Sequence, residues 1–270
     1  MWAQTAQMRV VLACAFLIAA SAARADLVGI YVDGGPGFAA VTPDGGHPAT
    51  TYLPLVPRFG MWIENTNYFL DVDMSLLMGS AIDLLDTGGP IEHLVFPTAR
   101  EDPAVRLQVG RMFRFTSGAY GWDLAKGLRL GVGFDVDIAS QQAVSTRYAV
   151  GNTFIGLGLG PSMAWAPLPA LRTFASLWVG GHIGNHPGFV SGWQLTSQVT
   201  VSYAVLPRYL DLRATVLAEH RSFLDGIYPD AIGGGFSTVV GTIGIVGHLG
   251  WIFGIDEDEA RWLAPPQPSS

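Results

Sequence analysis

The fold class that this sequence predicts is all-β: a single closed antiparallel transmembrane β-barrel of ten strands, with eight or twelve as the neighbouring alternatives. Three observations predict it. The chain is too apolar for an ordinary soluble domain, with 14% charged residues against about a quarter in a typical one, and a mean hydropathy of +0.33. Yet after the first 25 residues no run of about 18 apolar residues suggests a membrane helix. Its hydrophobicity lies instead in strict alternation. Short and long connections, finally, are segregated along the chain.

The N-terminus accounts for part of the apolarity. Arg9, the apolar run Val10 to Ala20, and Ala23-Arg24-Ala25 read as the charged, apolar and small-x-small parts of an export signal. Cleavage leaves Asp26 first, so residues 1–25 are expected to be a removable signal peptide. The run is too short to span a bilayer, which takes roughly 20 residues. A lipoprotein cut at Cys14 would leave only Val10 to Ala13 as its apolar core. The single cysteine of the chain therefore departs with the signal, which leaves no disulfide or thiolate metal site.

Residues 26–254 carry the barrel. From Leu128 to Ala139, Leu128, Leu130, Val132, Phe134, Val136 and Ile138 alternate with Arg129, Gly131, Gly133, Asp135, Asp137 and Ala139, a period of two. The run suits a tilted crossing of roughly 9–11 residues. The same pattern recurs at Leu70 to Met78, Ile155 to Gly160, Trp193 to Val205, Leu210 to Val216 and Val239 to Phe253. Strands are predicted over roughly 27–39, 51–64, 67–80, 104–116, 127–140, 152–166, 171–184, 192–206, 208–223 and 236–253. The second, sixth and eighth connections are very short. The first, third, fifth, seventh and ninth are longer, and the fourth is longer than its class predicts. Closing such a sheet satisfies the backbone inside lipid. Trp62, Tyr68, Trp165, Trp193, Trp251 and Phe253 are expected in interfacial girdles.

This alternation of faces and loops resembles the Gram-negative outer-membrane β-barrels over nearly the whole mature chain, as a pattern and without a specific motif. The resemblance implies residence in the outer membrane, contact with its lipid, turns and both termini in the periplasm, and outer loops (about 40–50, 81–103 and 224–235) that offer a surface to an extracellular ligand. One departure is the ending. Trp251-x-Phe253 is followed by an acidic and Pro-rich tail over 255–270, containing Asp256-Glu257-Asp258-Glu259 and Pro265-Pro266-Gln267-Pro268, whose composition is that of a disordered segment.

Parity turns charges into the lumen: Asp71, Asp73, Arg106, Arg114, Arg129, Asp135 and Asp137, with Asp211, Arg213, Glu219 and Arg221 as a second set. Strand direction places Arg114 near Asp71 at one end and Arg106 near Asp135 and Asp137 at the other. Acids and arginines at such positions pair because a lone buried charge is costly. An ion-selective constriction is the alternative. Arg111 shares parity with Val109 and Phe113 and is directed toward lipid unless a bulge at Gly110 turns it inward.

Two arrangements bear on catalysis. Asp71/Asp73 and Asp135/Asp137 are similar to the aspartate pair of the ten-stranded proteases called omptins, but the Asp-x-His pair that accompanies it there is missing. His220 and Ser222 resemble the His-x-Ser of lipid A 3-O-deacylases, which would make Ser222 a nucleophile and His220 its base. No acid on the last strand's lipid side completes that set, which leaves Asp225 or Asp230 as substitutes. His182 and His186 are read as strand end and surface loop. No cofactor motif or metal spacing is present, and a net charge of −7 argues against nucleic acid. The expected role is structural or surface-interacting. A narrow charged pore, a lipid A-modifying acyl-ester hydrolase and a soluble periplasmic β-sandwich are the alternatives.

Overall fold

The computed structural model describes residues 27–43, 50–64, 67–82, 100–114, 128–145, 148–168, 170–184, 191–206, 209–223 and 234–249. The signal segment, the tail, Trp251 and Phe253, and most of the long loops lie outside the described residues. Ten strands are formed: β1 (Leu27–Pro43), β2 (Thr50–Glu64), β3 (Tyr68–Ile82), β4 (Arg100–Arg114), β5 (Leu128–Ser145), β6 (Tyr148–Leu168), β7 (Leu171–Gly184), β8 (Ser191–Leu206), β9 (Leu210–Phe223) and β10 (Gly234–His248). Each pairs antiparallel with its sequence neighbours, and β10 returns to β1, so the sheet is a closed barrel. A two-sheet sandwich is thereby excluded.

The alternation read from sequence becomes two faces. Leu130, Val132, Phe134 and Ile138 of β5 are exposed on the outer wall, while Arg129, Asp135 and Asp137 between them are buried in the lumen. The contrast reaches 74% exposure at Ile243 against 0% at Asp135. An apolar outer belt of this extent is incompatible with a water-facing surface and matches a wall that meets lipid. Following paired residues around the wall from Gly29, through Asp71, Asp135, Gly180 and Arg221, returns to β1 at Val41. That offset of 12 residues, from 29 to 41, over ten strands tilts the strands by roughly 40°, within the range usual for barrels.

Connections 65–67, 169–170 and 207–209 are short and lie at one end, hereafter the turn end, with both ends of the barrel chain. The loop end carries 44–49, 83–99, 185–190 and 224–233. The fifth connection departs from expectation: it is 146–147, because β5 and β6 run on as a hairpin. Pairing of β4 with β5 stops at Ala104–Ala139, and that of β6 with β7 stops at Phe154–Gly184. Among the described residues, Ser140–Ser145 and Tyr148–Thr153 thus pair only with each other, as a two-stranded ribbon. Over Gln141 to Gly151 the sequence shows no sustained period of two, so no lipid-directed alternation announced it.

Inside, side chains fill the barrel. Phe69, Met112, Ala164, Phe174 and Trp178 form an apolar layer, with Trp62 packed against it. Trp62 stacks on Phe69 at 5.6 Å and meets Phe174 edge-on at 4.8 Å. It therefore belongs to the lumen and not to a girdle, since β2 turns Leu55 and Phe59 outward and Arg58 and Glu64 inward. Small inward residues make the space. A Cβ on Gly158 would stand 3.0 Å from Trp178 Cβ, and one on Gly133 3.1 Å from its ring. Tyr31 lies against Gly60 in the same way. On the outward parity of the first strands, by contrast, a second apolar cluster of Val28, Ile63 and Leu70 lies toward the turn end, with Leu249 packed against it.

Candidate functional site

The lumen residues form a ladder from the turn end to the loop end. At the turn end Glu64 accepts hydrogen bonds from Arg129 and, at 2.9 Å, from Trp62 Nε1. His248 Nε2 lies 3.0 Å from Asp211 Oδ1. Beyond the aromatic layer, Tyr31 donates to Asp71 Oδ1 at 2.9 Å and Arg58 Nη2 to Asp73 Oδ2 at 3.0 Å. Asp33 stands between two guanidiniums, 4.0 Å from Arg58 Nε and 3.6 Å from Arg213 Nε. The Arg213 guanidinium covers the Tyr31 ring at 3.5 Å, a cation–π contact strengthened by desolvation.

Amides and hydroxyls bridge the middle: Gln108 to Gln198 at 3.4 Å, Gln198 to Thr200 and Thr200 to Thr215 at 3.2 Å. In the loop half, Arg106 reaches Asp135 at 3.4 Å and Glu219 at 2.7 Å. Arg221 pairs with Glu219 and Asp137, and Gln194 Nε2 donates to Asp137 Oδ1 at 3.0 Å. Each of these arginines thus faces a carboxylate, as desolvated charges require. The arrangement locks strands to one another across the lumen and pairs each of these arginines.

The predicted lumen set is therefore inward where it is described, although the partners differ. Arg106 does meet Asp135, but Asp137 is taken by Arg221. Gln108, not Arg114, is opposite Asp71 in the register. Arg114 lies six positions further along β4, and its side chain is outside the described residues. Arg129, Asp211, Arg213 and Glu219 all join pairs. Sequence reasoning overlooked Tyr31, Asp33, Arg58 and Glu64. Asp33 sits just before Gly34-Gly35-Pro36-Gly37, which reads as a turn, and Pro54 and Pro57 obscure the parity around Arg58. The outward pair Leu55 and Phe59 is the signal that would have placed Arg58 inside.

One other expectation is revised, and the outward direction expected of Arg111 is kept. His182 is on β7 and buried, its Nε2 2.9 Å from the Ser222 carbonyl oxygen and its ring edge-on to Phe154 at 5.3 Å. The even positions of β7 face inward as far as this residue, so it is no surface-loop histidine; His186 is outside the described residues. No bulge occurs at Gly110, which pairs regularly with Phe69 and Gly133. Arg111 stays on the outer wall, its guanidinium 5.9 Å from the Tyr68 ring and 5.4 Å from that of Phe113.

His220 and Ser222 point outward near the loop end, as parity required. His220 Nδ1, however, is 2.8 Å from Ser237 Oγ, and its ring lies 4.8 Å from that of Trp193. Ser222 Oγ instead accepts from the Trp193 amide at 3.4 Å. The imidazole is thus engaged by a serine of the next strand and not by Ser222. Asp225 and Asp230 lie outside the described residues, and among the described residues no group of histidines and carboxylates is arranged to hold a metal.

No protein-family model matches the chain, and neither does any curated protein. Among solved structures, the outer membrane protease OmpT from Escherichia coli is similar with a TM-score of 0.46 at 10% identity, over 83% of this chain and 97% of that one. The β domain of the Bordetella autotransporter BrkA is similar at 0.39 and 12% identity, over 80% of this chain and 98% of that one. Neisserial surface protein A is similar at 0.34 and 11% identity, over 82% and 96%. At such scores these neighbours assign no activity, and the barrel architecture stands on its own strand pairing.

Proposed function

We propose that the chain is an outer-membrane β-barrel that works as a closed scaffold, holding its loop end toward the outside as an interaction surface, without catalysis and without a through-passage. The observation that carries this reading is the filled lumen. Asp73, Arg106 and Asp135, the residues at which a constriction would be charged, are 3%, 5% and 0% exposed. Phe69, Trp178 and Tyr31 fill the section below them and are equally buried. Ten strands enclose an interior that side chains can fill, unlike the water channel of a 16-stranded porin. The outer apolar belt supports residence in lipid, and the ribbon of β5 and β6 supports a role at the loop end.

The test is single-channel recording of the refolded chain in a planar bilayer. Insertion without discrete conductance steps is expected; reproducible steps would replace this reading with a pore. Envelope fractionation checks the location: extraction only with detergent is expected, and recovery in the soluble fraction would contradict it.

A further inference from the structure

The turn end of the lumen contains a recess of about 70 Å³ beneath the aromatic layer. That is room for roughly five waters, or for one small organic molecule. Its aromatic walls are Trp62 and Phe174, with Arg172 and Ser202 toward the mouth. The other charges on its lining are committed: Arg129 to Glu64, His248 to Asp211, and Arg213 to Asp33 and the Tyr31 ring. Arg172 is different. It stands on the lumen-facing parity of β7, opposite Ser202 in the register, and forms no ion pair or hydrogen bond with any described residue.

From this we infer that the recess is a binding site for a small organic carboxylate. A free guanidinium presents a planar fork that matches a carboxylate with two parallel hydrogen bonds. The Ser202 hydroxyl lies on the adjoining strand at the same level. The aromatic walls accept a flat or branched apolar body and leave the acid group at the mouth. A cationic ligand is disfavoured because both acids of the recess already serve Arg129, Trp62 and His248. The layer of Phe69, Phe174 and Trp178 closes the recess above, so the ligand enters and leaves by the turn end. The site goes beyond the scaffold reading and stands whether or not the barrel conducts.

Fluorine NMR of 4-fluorobenzoate tests it, with the refolded full chain in detergent micelles and protein-free micelles as the partition baseline. Saturable broadening above that baseline is expected. 4-Fluorobenzyl alcohol, the neutral match, should show partition only. Arg172→Gln should weaken binding at least about tenfold, as loss of a charge-assisted bidentate pair does. Arg172→Lys keeps the charge without the fork and should lose several-fold; it decides the question if Arg172→Gln does not refold. Non-saturable broadening, equal binding of the alcohol, or unchanged affinity in whichever Arg172 variant folds would each overturn the proposal.

Discussion

Arg106 draws together Asp135 on the neighbouring strand and Glu219 across the lumen, which makes it a sensitive single residue in the barrel. Its removal leaves two carboxylates desolvated and uncompensated. Arg106→Ala is therefore expected to cost about 3–5 kcal/mol, measured by urea unfolding in lipid vesicles. Replacing all three groups with apolar residues should restore much of that loss, and failure to restore it would mean that the arginine acts by packing. Gly60 makes a separate test, because any side chain there must displace the Tyr31 ring. Gly60→Val should cost about 1–3 kcal/mol through overpacking, read in the same assay. At this scale the sequence revealed which charges face inward and little about whom they meet. The alternation at Asp135 and Asp137 is unmistakable, but strand tilt carries long arginine side chains away from their register partners. Arg106 is paired in register with Asp137 and bonds Asp135 instead. The outward direction of Arg111 was equally legible. What permits it is the pair of rings beside it, one of them on the neighbouring strand.

Strands announce themselves only where one face meets lipid and the other does not. That is why β5 and β6 were found over their wall-forming parts while their extensions were read as a loop. Among the described residues, Ser140–Ser145 and Tyr148–Thr153 are bonded to each other and to no third strand, so they lie outside the ring of pairings that closes the barrel. Replacing residues 141–152 with a two-residue turn should leave thermal stability and heat-modifiable gel migration unchanged, while reducing whatever binding the loop end supports. A barrel that fails to refold after this change would show that the ribbon has a structural role. The girdle at the turn end yields a second expectation. Arg111→Glu replaces a cation seated between the Tyr68 and Phe113 rings with an anion that their faces repel. Slower insertion into vesicles, followed by proteolytic protection over time, is the expected outcome.

For the whole molecule, composition and periodicity sufficed to predict a closed barrel of ten strands, since a chain this apolar without a membrane helix has few ways to satisfy its backbone in lipid. They did not reveal whether the lumen is open. That depends on how Trp62, Phe69, Phe174 and Trp178 interlock across the interior, and neither parity nor spacing encodes a contact between strands so far apart in the chain. The mouth behind Trp62 was equally illegible, because Arg172 becomes notable only once every other described charge lining the recess has found a partner.

The pairing of β10 with β1 through 13 residue pairs sets the order of events during biogenesis. Every other seam is a local hairpin that can form as soon as its second strand is available. This seam joins the two ends of the barrel sequence and carries the largest loop-closure entropy. Until β10 docks, the sheet offers two unsatisfied edges, on β1 and on β9, and each is a template for another chain. Membrane insertion and edge protection therefore depend on the last strand made, and a chain stopped at residue 233 is expected to form aggregates instead of a nine-stranded barrel.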